Sequence, residues 1–178
     1  MKLRLMAALV TSAVILSGSA LAEPTNGAGT INFTGSITES GCNIVGSRNI
    51  EVPLGNVAKN AFGESGSTQT YKNFDIVLEK CPATQGIKVN FSGTQDSTNP
   101  DLLAINSGAG TATGVGIEIR DNKNTPIKLG DWSSASAAVV DQGSITLTYN
   151  AGYKSTVNND VITAGKANAT SNFTVSYE

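Results

Sequence analysis

Residues 171–178 read SNFTVSYE. Phe173, Val175 and Tyr177 fall at alternate positions with Asn172, Thr174 and Ser176 between them, the period of a strand with one apolar face and one polar face. The pattern predicts a strand that is still running where the chain stops. A terminal segment keeps its place only when something ties it down, so this strand needs a fixed neighbour, and the fold turns on where that neighbour comes from.

Further strands are predicted from the same alternation at Ile50, Val52 and Leu54, at Phe74, Ile76 and Leu78, at Ile87, Val89 and Phe91, at Val115, Ile117 and Ile119, and at Ile145, Leu147 and Tyr149. The stretches between them, among them GESGST, NSGAGTATG and RDNKNTP, are built from the residues that make turns. No window sustains an apolar face at helical spacing. The expectation is an all-β sandwich or barrel with one short helical turn near the middle.

The N-terminus reads as a secretory signal. Lys2 and Arg4 precede an apolar run over 5–16, and the small-residue stretch 17–22 closes on Ala20-Leu21-Ala22, an A-x-A cleavage pattern. The apolar run is shorter than the ~20 residues of a membrane span. The mature chain is expected to start at Glu23, and 23–178 suits one domain with a single core. A net charge of -2 with scattered signs offers no basic stripe for nucleic acid or membrane.

Two cysteines remain in the mature chain, Cys42 and Cys81. An even count in an exported protein reads as a disulfide, and closing a loop of about 40 residues contributes roughly 4 kcal/mol in the chain-entropy model. Redox chemistry is disfavoured by the lack of a C-x-x-C pair.

Ahead of Cys42 the character of the chain changes. Residues 23–28 are a short polar lead, and GTINFTGSI over 29–37 sets Ile31, Phe33, Gly35 and Ile37 at alternate positions. This is a second strand of the C-terminal type; both contain Asn-Phe-Thr, at 32–34 and at 172–174.

Catalysis finds little support. The absence of histidine removes Ser-His and Cys-His pairs and the commonest metal ligand, so no metal, cofactor or enzymatic activity is expected. Asp121, Asp131 and Asp141 read as turn acids ahead of a glycosidase pair. Gly108, Gly110, Gly114 and Gly116 lack the lysine of a phosphate loop and read as a loop entering the strand at Val115. Trp132, Tyr149 and Tyr153 compose a possible sugar platform, against which Trp132 reads more simply as a partly buried anchor.

Taken together, the signal peptide, the GTINFTGSITESGC segment ending at Cys42, the second cysteine Cys81 and the C-terminal NFTVSYE closely resemble the subunits of type 1 and P-type pili assembled by the bacterial chaperone-usher pathway. Tyr177 supplies that family's penultimate aromatic, and Gly165 stands fourteenth from the C-terminus, where the family places a glycine. The resemblance implies an immunoglobulin-like sandwich that lacks its final strand (41–178), preceded by an N-terminal extension (23–40). In it, Ile31, Phe33, Gly35 and Ile37 are a donor strand for the next subunit. Gly165, Phe173, Val175 and Tyr177 then belong to the receiving groove, and the carboxylate of Glu178 to the chaperone's grip. The implied partners are a periplasmic chaperone, an outer-membrane usher and sister pilins, and the implied location is the fimbrium at the cell surface, where the subunit supports adhesion. The rival reading is a carbohydrate-binding tip adhesin or adaptor.

Overall fold

The structure, a computed structural model, describes residues 30–35, 41–46, 48–81, 86–136 and 143–177. The signal segment, the predicted start at Glu23, and Ile37, Asp141 and Glu178 lie outside the described residues. The chain divides into two units, Met1–Ile37 and Thr38–Glu178.

In the first unit, residues 30–35 form no strand. Ile31 is 76% exposed and Phe33 91%.

The second unit is all-β. Its larger sheet runs β1 (Asn43–Ile44), β2 (Thr68–Cys81), β8 (Gly143–Ser155), β5 (Val115–Arg120), β4 (Leu103–Ala104), with β6 (Pro126–Ile127) also paired to β5. The smaller sheet runs β7 (Trp132–Ser136), β3 (Ile87–Ser92), β9 (Asn172–Tyr177). Every strand pair is antiparallel. Among the described residues the one helical element is a 3-10 turn, Lys59–Ala61. The inward side chains of both sheets meet in one core, in which Ile76, Leu78, Val89, Ile87, Phe91, Leu147 and Tyr149 are buried. This is the predicted sandwich, and the alternations read from the sequence at 74–78, 87–91, 115–119, 145–149 and 173–177 all fall on strands.

The alternation at Ile50, Val52 and Leu54 behaves differently. Its burial alternates as expected, with Leu54 buried and Ile50 and Val52 half-buried between exposed neighbours, yet 50–54 joins no ladder. Period-2 burial requires only an extended backbone lying on a core. A strand also requires a second backbone alongside, and no described segment pairs with this one.

Cys42 and Cys81 form a disulfide. It ties the start of the second unit to the end of β2, beside the two-residue β1, whose register on β2 is Asn43 opposite Glu79 and Ile44 opposite Leu78.

Candidate functional site

β9 stands at the end of its sheet. One edge pairs with β3 in the register Ile87 with Tyr177, Val89 with Val175 and Phe91 with Phe173. The other edge has no partner strand among the described residues. The contrast across this register is direct. Ile87, Val89 and Phe91 on β3 are 1%, 0% and 3% exposed, flanked by strands on both sides, whereas Phe173, Val175 and Tyr177 are only half-buried although they touch the same core. What separates the two sets is a missing neighbour strand.

The half-buried apolar residues that pack on this core include Ile44, Ile50, Val52 and Ala169 together with Phe173, Val175 and Tyr177. Gly41 lies against Tyr177: a Cβ at 41 would stand 3.0 Å from Tyr177 Cε2. Segment 50–54 and strand β9 are therefore two extended backbones, each short of a ladder partner, resting on one incompletely covered core. A row of unpaired N–H and C=O groups beside exposed apolar side chains can accept an added strand, with backbone bonds setting direction and alternate side chains entering the gaps.

The lead into β9 is held by backbone contacts. Asn106 N donates to Asn168 O (2.7 Å), Ala112 N to Lys166 O (2.9 Å) and Lys166 N to Gly110 O (2.9 Å). Gly165 permits this approach, since a Cβ there would meet the Ala112 nitrogen at 2.5 Å and the Gly110 oxygen at 2.7 Å. Beside it opens a cleft of about 370 Å³ lined in part by Val57, Phe62, Val115, Tyr153 and Ile162. Tyr153 donates its hydroxyl to Ala167 O (3.0 Å), and burial raises its pKa. Gly165 thus lies in the lead into β9, ahead of the strand that carries Phe173, Val175 and Tyr177, and Cys42 lies at the start of the same unit.

The proposed sugar platform does not assemble. Tyr149 is 1% exposed, its ring edge-on to Phe91 at 4.9 Å and stacked with Phe74 at 5.8 Å, and burial pushes its hydroxyl up to about 12. Trp132, read as a partly buried anchor, keeps 51% of its surface in solvent. Asp121 is a turn acid, its Oδ1 accepting from Lys123 N (2.9 Å) and Thr125 N (2.7 Å). The glycine-rich run is a loop that enters β5 at Val115, as read from the sequence.

One cluster was not anticipated. Glu118 lies on β5 with its side chain on the outer face of the larger sheet, yet it is only 2% exposed. Lys154 Nζ reaches its Oε1 at 2.6 Å, Arg120 Nε and Nη2 reach its Oε2 at 2.6 Å, and the Tyr71 hydroxyl also donates to Oε2. The Arg120 guanidinium lies 4.5 Å over the Tyr71 ring. A bulge in β2 between Gln69 and Lys72, with Thr70 at φ 56°, turns Tyr71 onto this face. Tyr71 covers Gly152, where a Cβ would meet its ring at 2.8 Å. Burial pushes the Glu118 carboxyl up, but the hydrogen bonds from Lys154, Tyr71 and Arg120 outweigh it and hold the pKa below the usual glutamate range. The available signal was the mid-strand glycine at 152, which leaves room for the Tyr71 ring.

Residues 31–178 match the family model described as fimbrial protein. The chain is 41% identical over 182 residues to the type-1 fimbrial protein subunit of Serratia marcescens, a match covering 97% of this chain and 96% of that one. Among solved structures it is similar to the type I fimbria protein and antigen of Burkholderia pseudomallei (39% identity, TM-score 0.59, covering 84% of this chain and 97% of that one). Its fold is also that of the P pilus rod subunit PapA (24% identity, TM-score 0.62, 78% and 100% coverage).

Proposed function

The chain belongs to the fimbrial protein family, a structural pilus subunit and not an enzyme, and from that premise we propose that it polymerises by strand donation, the 29–37 tail of one copy entering beside β9 of the next. The observation that carries this is the half-open row Phe173, Val175 and Tyr177 set against its sealed register partners on β3. Ile31 and Phe33 are the matching half of the interaction: large apolar side chains, 76% and 91% exposed, that gain about 1.5–3 kcal/mol each on burial before the cost of ordering the tail. Gly35 presents no side chain where the donor backbone must approach closely, and Ile37 continues the apolar parity.

An unpaired edge over an exposed core pairs with wrong chains as readily as with right ones. A periplasmic chaperone therefore covers β9 before assembly, gripping the Glu178 carboxylate, and an outer-membrane usher exchanges it for a sister subunit's tail as the fimbrium is built on the cell surface. A chain carrying both tail and open edge suits a shaft or adaptor subunit that extends the fibre and so supports adhesion.

Fusing a second copy of residues 29–37 after Glu178 through a flexible linker tests the reading. The fusion should be a chaperone-independent monomer with a raised Tm, since filling the edge stabilises only the folded state. A mature chain that is itself a stable monomer, unaffected by the fusion, overturns it.

A further inference from the structure

In a fibre joined by strand donation, the reading on which this inference rests, each subunit is pulled at two places. Its own tail, held in a neighbour, pulls on Cys42 through residues 38–41. The tail it receives pulls on the incompletely covered core where β9 and segment 50–54 lie. These places are close along the chain, because Cys42 is followed by β1 and then by Ile50, Val52 and Leu54, which pack on that core.

The backbone between Cys42 and segment 50–54 is lightly held. β1 makes two register pairs with β2, and Val45 N donates to Val77 O (2.9 Å). Segment 50–54 then joins no ladder and rests on the core through its side chains. Tension arriving along this backbone would peel β1 from β2 and next draw out the residues beside which the incoming tail must lie. Cys81 is a firmer hold. It ends β2 and is 0% exposed in the core, and β2 pairs with β8 at ten register positions, from Thr68 with Lys154 to Cys81 with Gly143.

We infer that the Cys42–Cys81 bond is a mechanical bypass, which passes tension from the tail straight to the end of β2 so that β1 and residues 45–67 carry none. The receiving edge then keeps its shape while the fibre is stretched. The position of the bond carries the inference. Cys42 lies five positions after Ile37 and ahead of every strand of its unit, so all tension from the tail meets the bond before it meets any hydrogen-bonded element. A cross-link spanning 39 positions also keeps residues 43–80 from extending.

Fibres assembled from the mature chain and stretched one at a time in an optical trap test this. Oxidised fibres should rupture with no extension contributed by residues 43–67. After reduction, verified by alkylation of both thiols, each subunit should release those 25 residues in a step of up to about 90 Å. Rupture should follow at lower force, since Ile50, Val52 and Leu54 have left the receiving edge. Fibres of the double variant Cys42→Ser, Cys81→Ser should match the reduced ones and give a route that needs no reductant. Three results overturn the inference: reduced and oxidised fibres that behave alike, a lower rupture force without the step, which makes the bond a stabiliser only, or the same step in oxidised fibres. Strand donation is scored separately, by Phe33→Ala in oxidised fibres. A rupture force unchanged by that substitution counts against donation whatever the disulfide does.

Discussion

Gly165 passes so close to Ala112 that a Cβ at 165 would stand 2.5 Å from the Ala112 nitrogen. The neighbouring atoms are backbone and are bonded to residue 166, so they cannot step aside without breaking the two Lys166 hydrogen bonds. Gly165→Ala should cost about 1–3 kcal/mol in urea denaturation. Gly63→Ala, where a Cβ meets nothing within 4 Å, should be close to neutral and serves as the control.

Stability should fall in acid through Glu118. Its folded pKa is depressed by Lys154, Tyr71 and Arg120 acting against burial, so the stabilisation is present above the ordinary glutamate pKa of about 4.3 and is lost as pH drops through the folded value. Glu118→Gln should remove that part of the pH dependence. At neutral pH it should cost about 3–5 kcal/mol, because Lys154 and Arg120 lose the carboxylate that compensates them. Urea midpoints measured from pH 7 to pH 3 for both proteins check the sign and the size.

Reducing the Cys42–Cys81 bond should lower unfolding free energy by up to about 4 kcal/mol, the closure entropy of its loop. The ladder of β1 on β2 spans only two register pairs, so hydrogen exchange should show the loss first in residues 43–46. Protection that falls uniformly across β2, β8 and β5 instead would argue against a local role.

In the tail, Phe33 and Gly35 should fail differently. Phe33→Ala should leave backbone pairing intact and weaken strand donation by about 3–5 kcal/mol where its pocket is fully buried, so fibres form but dissociate more readily in denaturant. Gly35→Asn should block insertion sterically and abolish fibres. Normal fibre yield and stability from both variants would remove the alternate-side-chain basis of the interaction.

The strands were legible because their inward residues alternate with polar ones; Ile87, Val89 and Phe91 needed nothing else. Segment 50–54 shows the limit of that signal, since periodicity reports which side chains are buried and is silent on whether a backbone lies alongside. Glu118 was hidden for another reason. By parity it belongs on the outer face with solvent, and its burial depends on a bulge in β2 that carries Tyr71, 47 positions earlier in the chain, over Gly152. Trp132 was read as an anchor because its neighbours in GDWSS suggest a turn; the turn is there, and it ends one residue too early to bury the ring.

The position of β9 has a kinetic side. Ser92 on β3 and its partner Asn172 on β9 are 80 residues apart in the chain, and β2 closes on β8 across a comparable span. Apart from the two-pair β5–β6 hairpin, the pairings that build the sheet centres, β2 with β8, β5 with β8 and β3 with β9, all join distant parts of the chain, so the entropy of closing long loops is spent before the core rewards it, and folding should be slow for a chain of this size. The small sheet gains its third strand only when the final six or seven residues have emerged, and until then β3 offers a bare edge as well.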